Sequence, residues 1–538
     1  MSTGTLPQRE AEAAATDVGF GAVLRGEWTK FRTVRGWVVG VVVAGVLIVA
    51  MGVFGAGHAN IGCQGPHGSQ LRGKACLPYV PLGPGGEAVT DSYYFVHQPL
   101  GTHGSITVRM TALTGQYGGG VGPAVANGQA PPMHSGVQPW SKAGIMITAS
   151  TKQGAAYAAI MATGSHGVAM QWNYTQDVAG AAGKPTATSP RWLRLTRFGD
   201  TITGYDSADG VQWDLVGTAR LAGLAATVPA GMFATSPPYM HLTSFFGGSS
   251  GAVGPAVATG VFDHVRPTGG QPDINWTGTN VGNQQPYGTQ TGQLVNYHQA
   301  GGTFTVTGNG DIAPDVLGDA SQLPSTTIEN HLVGVFAGLI AIVVVAAMFM
   351  TAEYRRGLIR TTLAASPRRG RVLVAKAIVV AGVGFAVGLV ASVVAVGFGI
   401  PIDRAQGQYV LPVSWLTEVR VIGGTAALVA VAAALALALG TLVRRSAAAV
   451  TSAIVLIVLP FLLGVTGVPG LGAWLMRVTP AAAFAIQQSV PTYPQVANSY
   501  TVPNGYYPLA PWAGFGVLCL YAAVALGGAF FVLRRRDA

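Results

Sequence analysis

The sequence predicts a mixed fold, in which an α-helical membrane domain of six spans is combined with an all-β antiparallel sandwich. Only 10% of the 538 residues are charged, against about 25% in soluble domains, and 49% are hydrophobic. Six apolar stretches are long enough to cross a bilayer. Between the first two, short runs rich in Ile, Val, Thr and aromatic residues alternate with turn residues, which is typical of antiparallel strands.

The predicted spans each contain roughly 20 apolar residues, the length that a membrane helix needs. They cover residues 37–57, 332–352, 377–402, 421–443, 446–467 and 512–533, with a helix break expected before Pro469. The first span follows 36 polar or mixed residues and lacks a small-residue cleavage site, so we expect it to stay as an anchor. No predicted span carries an internal Lys, Arg, Asp or Glu, which argues against an ion-coupled relay.

The placement of Lys and Arg predicts the orientation of the spans, because these residues accumulate in cytoplasmic loops. They cluster in the N-terminal segment 1–36, between spans 2 and 3, between spans 4 and 5, and after span 6. The connector 353–376 alone holds seven of the 31 Lys and Arg residues. All four clusters fall on one side, so we expect a plasma-membrane protein with both termini cytoplasmic and residues 58–331 extracellular. Because the basic residues lie beside apolar runs, the net charge of +10 does not indicate nucleic-acid binding.

The extracellular segment is predicted to contain a β-sandwich at 92–265 and a β-rich return segment at 266–331. Within the sandwich, "DSADGVQW" (206–213) has the Asp-Gly pair of a hairpin turn. Cys63 and Cys76 are either two free thiols or, outside the cell, a disulfide. Cys519 stands alone in an apolar run.

Aromatic residues of the sandwich are the candidates for ligand contact, because they either stack on a sugar or fill the core as alternating strand residues. They are Trp172, Trp192 and Tyr205, with Trp213 beside them. Calcium would prefer clustered oxygens, but the spacing of the aspartates does not match the calcium-loop pattern, and Asp is common in turns. These aspartates are Asp200, Asp206 and Asp209. We therefore predict no metal site and no catalytic residues.

The order of these strands resembles the concanavalin-like, laminin-G-like jelly-roll domains. The resemblance rests on "WSKAGIMI" (140–147), "PRWLRLTRFGDTITGYDSADGVQW", "AGMFATSP" and "GVFDHV", and it covers about residues 92–265. It implies a jelly-roll sandwich. Because many members of that group bind glycans, it also implies a cell-envelope glycan as a ligand to be tested.

Two basic segments adjoin the spans on the predicted cytoplasmic side. "AVLRGEWTKFRTVRGW" (22–37) predicts an amphipathic helix at the membrane surface, with Trp28 and Phe31 on its apolar face and Glu27, Lys30 and Arg32 toward water. "EYRRGLIRTTLAASPRRGRVLVAK" (353–376) predicts a short cytoplasmic helix that breaks at a proline before the chain re-enters the membrane.

Together with "MRVTPAAAFAI" (476–486) and the ending "LYAAVALGGAFFVLRRRDA", these segments resemble the membrane subunits of type-2 ABC transporters, the actinobacterial permeases whose ATPase is a separate polypeptide. The resemblance implies that the connector is a coupling helix in a groove of the ATPase, and that the segment around Pro480 is a re-entrant outer helix. The residues implied to face the ATPase are Glu353, Arg355, Arg356, Gly357, Arg360, Thr361 and Thr362, flanked by Glu27, Lys30 and Arg32.

The sequence also indicates that the energy source lies on a partner. It contains no G-x-x-x-x-G-K-[ST] phosphate loop, and "GAAGKPT" (180–186) has the wrong glycine spacing. We therefore expect a permease in a dimer of permease subunits, working as an exporter, with no cofactor in this chain and ATP-Mg on the partner. The alternative is a cell-surface glycan-binding or sensing membrane protein that uses the extracellular β-sandwich.

Overall fold

A computed structural model describes most of the chain. The described residues are 19–56, 62–64, 69–118, 133–245, 248–269, 275–282, 295–316, 325–355, 357–358, 368–465, 471–496, 500, 502 and 505–535. They form a helical domain and a β-domain (residues 89–316), which contact each other.

The helical domain is built from nine described α-helices. They are α1 (Phe20–Thr33), α2 (Arg35–Ala56), α3 (Val335–Arg355), α4 (Arg369–Ala405), α5 (Trp415–Val443), α6 (Ser446–Ala453), α7 (Leu459–Val465), α8 (Leu471–Val478) and α9 (Pro511–Arg535). A π-helical turn (Ile454–Val458) joins α6 to α7, and 3-10 turns cover Gly73–Tyr79, Ile328–Leu332 and Pro480–Gln487.

Within the described ranges, six helical segments are long and apolar enough to cross a membrane, which confirms the number of predicted spans. Spans 1 to 4 are α2, α3 with the turn before it, α4 and α5; span 5 is α6 to α7, and span 6 is α9. Span 4 lies at the centre of the bundle, because it packs against α3, α4 and α9. Small residues allow this close approach. The buried alanines on α5 include Ala432, Ala433, Ala436 and Ala438.

The helices extend beyond the predicted apolar stretches, and span 3 takes in charged residues that lie just outside its predicted bounds 377–402. Helix α4 includes Lys376 and Asp403, and the side chains of both are fully buried. Lys376 has the carboxylate partners described below, whereas Asp403 Oδ2 lies 3.2 Å from His331 Nε2 with no hydrogen bond between these atoms. The argument against an ion-coupled relay therefore no longer follows from the sequence.

The β-domain contains two large sheets whose described pairings are all antiparallel. One has the strand order β10-β9-β8-β7-β14-β4-β18, and the other has the order β13-β12-β11-β5-β17-β20-β19, with β6 paired to β5. The strands of the two sheets are β4 (Tyr93–Leu100), β5 (His103–Gly118), β6 (Met133–Ser135), β7 (Lys142–Thr148), β8 (Tyr157–Thr163), β9 (Val168–Trp172), β10 (Gln176–Ala179), β11 (Arg191–Phe198), β12 (Thr201–Ser207), β13 (Asp214–Arg220), β14 (Val228–Thr235), β17 (Ala256–Thr268), β18 (Thr277–Val281), β19 (Asn296–Ala300) and β20 (Thr303–Gly308).

Smaller pairs complete the described strands. They are β1 (Gly62–Gln64) with β2 (Gln70–Arg72), β3 (Val89–Asp91) with β21 (Ile312–Pro314), β15 (Tyr239–Phe245) with β16 (Gly248–Gly254), and β22 (Ser325–Thr326) with β23 (Tyr409–Val410), the last pair being parallel.

Alternation of residues along the strands gives the two large sheets a shared core. In β11, Leu193 and Leu195 are fully buried, while Trp192 and Arg194 lie on the opposite, outward face. The hairpin predicted at 206–213 is confirmed, because β12 pairs with β13 across it and Gly210 has φ of +75°. Strands β18, β19 and β20 lie beyond residue 265 and belong to the two large sheets. The jelly-roll assignment stays a prediction.

The two domains meet at a small apolar cluster and a few hydrogen bonds. The cluster contains Val80 from the segment before the β-domain, Val316 at the end of the β-domain, and Leu411, Val490 and Tyr506 from loops between spans. Gln495 Nε2 donates to the carbonyl of Tyr174 at 2.6 Å, and the hydroxyl of Tyr409 donates to the carbonyl of Gly86 at 3.2 Å. The β-domain therefore rests on the ends of the spans opposite to the connector.

Candidate functional site

Helix α1 is separate from the first span and lies against the helical bundle. The backbone is extended at Val34, with ψ of 102°, which ends α1 before α2 begins. The buried residues of α1 are Glu27 and Phe31, which share a face because they are four positions apart. The prediction that Glu27 points toward water is wrong, since this residue is only 2% exposed. Trp28, by contrast, is 46% exposed.

Four alternating charges meet where α1, α3 and α4 converge, and we call them the charge cluster: Glu27, Lys30, Glu353 and Lys376. Lys376 Nζ donates to Glu27 Oε2 at 2.6 Å and to Glu353 Oε1 at 2.8 Å. Lys30 Nζ donates to Glu27 Oε1 at 2.8 Å and to Glu353 Oε1 at 3.2 Å. Each carboxylate thus accepts from both lysines, and the formal charges of the cluster sum to zero.

Because these ion pairs are buried, breaking one of them costs more free energy of unfolding than breaking a surface ion pair. The side chain of Lys376 is 0% exposed, and those of Glu27 and Glu353 are 3% and 8% exposed. Removing one partner from a buried ion pair costs about 3–5 kcal/mol, because the other charge stays buried without compensation. Lys30 is 41% exposed and contributes less, because water screens its charge.

An aromatic layer packs beneath the charge cluster. The ring of Phe349 in α3 makes edge contacts with Phe31 of α1 at 5.4 Å and with Trp37 of α2 at 4.9 Å. Lys376 Nζ lies 4.4 Å from the centroid of the Phe349 ring, a cation–π distance. The layer joins α2 to the three helices of the charge cluster, so four elements are fixed together at this end of the bundle.

Span 2 is also attached to the corner between spans 4 and 5. Ser446 Oγ donates to Thr351 Oγ1 at 2.8 Å, and the guanidinium of Arg444 lies 5.1 Å from the ring centroid of Tyr354. Arg444 has φ of +62°, which ends α5 in the left-handed conformation. The same end of the bundle thus links spans 2, 3, 4 and 5.

The structure places three of the predicted coupling residues. Glu353 is buried in the charge cluster, so its observed contacts are within the chain. Arg355 ends α3 and is exposed. Gly357 has φ of +67° and donates to the carbonyl of Tyr354, which is the turn that a helix end requires. The others lie outside the described residues: Arg356, Arg360, Thr361 and Thr362. Contact of these seven residues with a partner stays a prediction.

Sequence reasoning did not single out Lys376, the most buried member of the charge cluster. The available signal was its position in "VLVAKAIVVAG", where a lone lysine begins an apolar run. A charge inside a span is costly unless it is paired, so such a lysine predicts an acidic partner on a neighbouring helix. The partners themselves are 23 and 349 positions away, which no local pattern indicates.

The opposite end of the bundle contains a cavity of about 690 Å³ that is lined by the start of α5 and by the loops between spans 3 and 4 and between spans 5 and 6. Arg420 at the start of α5 lines it and donates to the carbonyls of Gln488 at 2.6 Å and Ile486 at 3.3 Å. Glu329 accepts hydrogen bonds from the backbone N–H and the hydroxyl of Ser489. These contacts hold the buried 3-10 turn Pro480–Gln487, which contains the segment predicted to be re-entrant, against spans 4 and 6.

The candidate ligand contacts of the β-domain do not form one platform. Trp172 lies in β9, in the seven-stranded sheet, and packs against the shared core. Trp192 and Tyr205 are half-buried on the outward face of the other sheet. Beside Tyr205, the guanidinium of Arg194 stacks on Trp213 at 3.8 Å.

Two further sequence predictions concern the acidic turns and the cysteines. The three candidate aspartates accept backbone N–H groups: Asp200 from Leu224 and Asp209 from Val211 in turns, and Asp206, which lies in β12, from Ala181. Within the described ranges, no group of three or more His, Cys, Asp or Glu residues is arranged to hold a metal ion.

Cys76 is disulfide-bonded and Cys519 is free, while the pairing of Cys76 with Cys63 stays a prediction.

Comparison with known proteins gives one family. The model of the ABC-2 family transporter protein matches residues 210–538, more than half of the chain. No curated protein matches this chain. Similar solved structures include a functionally unknown protein from Saccharomyces cerevisiae, with 16% identity over 34% of this chain and 77% of that one and a TM-score of 0.20. Another is the GH43 protein BlXynB mutant from Bacillus licheniformis, with 16% identity over 31% of this chain and 28% of that one and a TM-score of 0.18. A third is scytalido-glutamic peptidase with a transition-state analogue inhibitor, with 9% identity over 42% of this chain and 100% of that one and a TM-score of 0.25. At these TM-scores the structural similarities support no conclusion about fold or function.

Proposed function

The chain belongs to the ABC-2 transporter family as a permease subunit that partners an ABC ATPase, and we propose that it is an exporter driven through the connector 353–376. In this proposal both termini and the connector are cytoplasmic, the β-domain is extracellular, and two permease subunits form the path. ATP and Mg²⁺ bind the partner, so no residue of this chain acts on the nucleotide.

The observation that carries the proposal is the ion pair between the two ends of the connector. Glu353 begins the connector and Lys376 ends it, and their side chains are 2.8 Å apart. Glu27 binds the same lysine at 2.6 Å and so attaches α1 to that pair. Because separating buried charges costs several kcal/mol, the ends of α1, α3 and α4 move as one unit. A partner that pushes on the connector would displace spans 2 and 3 together.

The exposed part of the connector is where the partner would make contact. Arg355 and Gly357 lie at the surface directly after the buried end of α3. The second carboxylate oxygen of Glu353, Oε2, is buried and has no hydrogen-bond partner within the described part of the chain. Displacement of the exposed residues would therefore act directly on the buried end of α3 that holds the charge cluster.

The test is affinity purification of the tagged full chain in mild detergent, followed by identification of co-purifying chains and assay of ATPase activity. We expect a soluble ATPase to be recovered with the wild-type chain. Replacing Arg355, Arg356 and Arg360 by Glu should abolish its stimulation.

The matched control replaces Arg445, Arg534 and Arg535 by Glu, which changes the charge equally on the same membrane face but outside the connector. This control should keep the ATPase stimulated. Stimulation that survives the connector variant would disprove coupling through the connector, and recovery of the chain alone would count against the whole proposal.

A second function, binding of a cell-envelope glycan, is favoured by the outward aromatic face of the β-domain. Arg194 stacked on Trp213, with Tyr205 and Trp192 on the same face, presents flat rings and hydrogen-bond donors to solvent. We expect the purified chain to be retained on cell-wall polysaccharide and the Trp213→Ala variant to lose that retention. Equal retention of both proteins would remove this face as the binding surface.

A further inference from the structure

A histidine and an aspartate face each other at the outer end of the bundle, the end nearest the β-domain. His331 lies in the 3-10 turn Ile328–Leu332 before α3, and Asp403 lies in the last turn of α4. Both side chains are 0% exposed, and Nε2 of the imidazole is 3.2 Å from Oδ2 of the carboxylate. The two residues thus bring together the outer ends of spans 2 and 3, and we call them the His–Asp pair.

The His–Asp pair has no hydrogen bond within the described part of the chain. Both ring nitrogens of His331 and both carboxylate oxygens of Asp403 are buried without a hydrogen-bond partner. A neutral imidazole beside an ionised carboxylate leaves one negative charge buried, which is strongly unfavourable unless a cation or a donor compensates it. One added proton would neutralise the pair.

Glycines from two spans pack directly against the histidine. A Cβ atom on Gly399, four positions before Asp403, would lie 2.2 Å from Nδ1 of His331. A Cβ atom on Gly52 of α2 would lie 2.1 Å from the carbonyl oxygen of the same histidine. The carbonyl of Gly52 also faces the imidazole, without a hydrogen bond. A protonated imidazole held here would therefore have two acceptors beside it, the carboxylate of Asp403 and this carbonyl.

The other ionisable groups on the elements packed around the pair interact elsewhere. Glu329, in the same 3-10 turn, accepts hydrogen bonds from Ser489, and Arg420 of α5 donates to backbone carbonyls. Helix α2 has no ionisable residue after Arg35. The remaining ones are exposed or donate to a backbone carbonyl, and they are Arg72, Lys74, Arg404, Tyr409 and Glu418. Among the residues that the structure describes, the charge at this place is therefore set by the pair itself.

A cavity of about 450 Å³ at the outer end reaches the neighbours of both residues. Ile328 lines it and lies three positions before His331, which is one turn of a 3-10 helix. Ile400 and Arg404 line it as well and flank Asp403 on α4. The cavity gives a proton a route to the pair from the side of the β-domain.

We propose that His331 and Asp403 form a binding site for one proton, and that this proton holds the outer ends of spans 2 and 3 together. With the proton bound, the pair is neutral and Nε2 and Oδ2 share a hydrogen bond. Without it, the carboxylate is buried with no donor, so the contact opens and water reaches the charge. Groups that include a histidine exchange their proton between about pH 5 and 8, so the site responds to pH on the side of the β-domain. This function goes beyond transport driven by an ATPase.

The test is backbone deuterium exchange, measured by mass spectrometry on the full-length chain in lipid nanodiscs from about pH 5 to 8. Asp403→Asn is neutral at every pH and so imitates the protonated pair. The ratio of wild-type to variant exchange rates in residues 328–334 and 399–405 removes the intrinsic pH dependence of exchange. We expect this ratio to be about one at pH 5 and to reach at least about ten by pH 8, since loss of one proton changes an equilibrium by up to about tenfold per pH unit.

Glu418→Gln is the matched control, because it removes an exposed carboxylate from the same end of the bundle. The ratio of wild-type to this variant should stay near one at every pH. A wild-type to Asp403→Asn ratio that does not change with pH would overturn the proposal. If Asp403→Asn is not recovered folded, the wild-type chain decides alone: exchange in residues 328–334 that keeps a constant ratio to exchange in residues 421–427 across the same pH range would also overturn it.

The histidine is tested by His331→Gln. We expect the rise in exchange to occur at least about one pH unit lower in this variant, because imidazole has a higher proton affinity than a carboxyl group. A pH profile identical to that of the wild-type chain would assign the proton to Asp403 alone and overturn the pair. A profile that EDTA abolishes would assign the site to a metal ion and overturn the proton. Because no ATPase or substrate is present, each result is independent of the transport proposal.

Discussion

Replacing Lys376 by Met tests the charge cluster directly. Methionine has a similar volume, so the change removes charge and hydrogen bonds and leaves little cavity. Lys376 donates two hydrogen bonds to carboxylates, at 2.6 Å and 2.8 Å, and such bonds are worth about 1.5–3 kcal/mol each. Breaking a buried ion pair costs about 3–5 kcal/mol in total. Since Lys30 still contacts both carboxylates, we expect the lower end, about 3 kcal/mol of unfolding free energy.

The assay is reversible unfolding in mixed micelles with increasing SDS, which reports the stability of the helical domain. Lys152→Met is the control, because Lys152 is exposed on the β-domain and its loss should change stability by less than about 0.5 kcal/mol. The triple variant Glu27→Gln, Glu353→Gln, Lys376→Met should recover most of the loss, because no buried charge is then left without its partner.

A Lys376→Met protein as stable as the Lys152→Met control would refute the reasoning, since it would mean that the lysine is not held by buried carboxylates. A triple variant no more stable than Lys376→Met would assign the loss to packing against Phe349 and not to charge. If the triple variant is stable but no longer stimulates the ATPase, the charge cluster is needed for coupling and not for folding.

Three further predictions follow from the structure. Gly399→Ala should destabilise the helical domain by about 1–3 kcal/mol, because the new Cβ would lie 2.2 Å from the imidazole of His331. The control is Gly397→Ala on the same helix, whose Cβ meets nothing within 4 Å and which should be neutral or slightly stabilising. Thermal unfolding measures both variants. Burial raises the pKa of Asp91 to about 6, and hydrogen bonds from a tyrosine and a backbone N–H partly oppose the shift. The pKa of Asp91 is higher in the folded chain than in the unfolded chain, so its contribution to the free energy of unfolding should fall by up to about 3 kcal/mol as the pH rises from about 4 to 6. Asp91→Asn should remove this pH dependence from unfolding curves measured across that range. Non-reducing peptide mapping should show Cys63 and Cys76 linked, and separate peptides would contradict the disulfide predicted between them.

The sequence was sufficient to predict the features that depend on local patterns. Apolar length alone located six spans, because a bilayer imposes the same minimum on every one of them. The Asp-Gly pair located the hairpin between β12 and β13, because a glycine takes the positive φ at little cost. The alternation in "RWLRLTRF" indicated a strand, but the sequence left open whether Trp192 fills the core or contacts a ligand, and only the structure places it on the outward face opposite Leu193 and Leu195.

Features that depend on contacts between distant segments could not be predicted in the same way. The amphipathic pattern of α1 put Glu27 toward water, because a helical wheel treats the polar face as the solvent face. In the folded chain this glutamate meets Lys376, which is 349 positions away. The observed helix of span 3 also begins earlier than the predicted span, because Lys376 stays in a helical, buried position once two carboxylates compensate its charge. Whether such a charged residue is buried or exposed depends on its partner elsewhere in the fold, and local composition does not reveal that partner.

Span 3 connects the two ends of the molecule. At about 1.5 Å per residue, the 37 residues of α4 extend for about 55 Å, more than the hydrocarbon core requires. One end holds Lys376 in the charge cluster, and the other holds Asp403 beside His331, just before the loop whose strand β23 pairs with β22 beneath the β-domain. Helix α4 is continuous between these two ends, with Pro401 inside its last turns, so a shift of the connector along α4 would reach the base of the β-domain through that proline. Lys376→Met and Gly399→Ala perturb opposite ends of this helix, so their effects on ATPase stimulation would separate motion that begins at the connector from motion that needs the outer end.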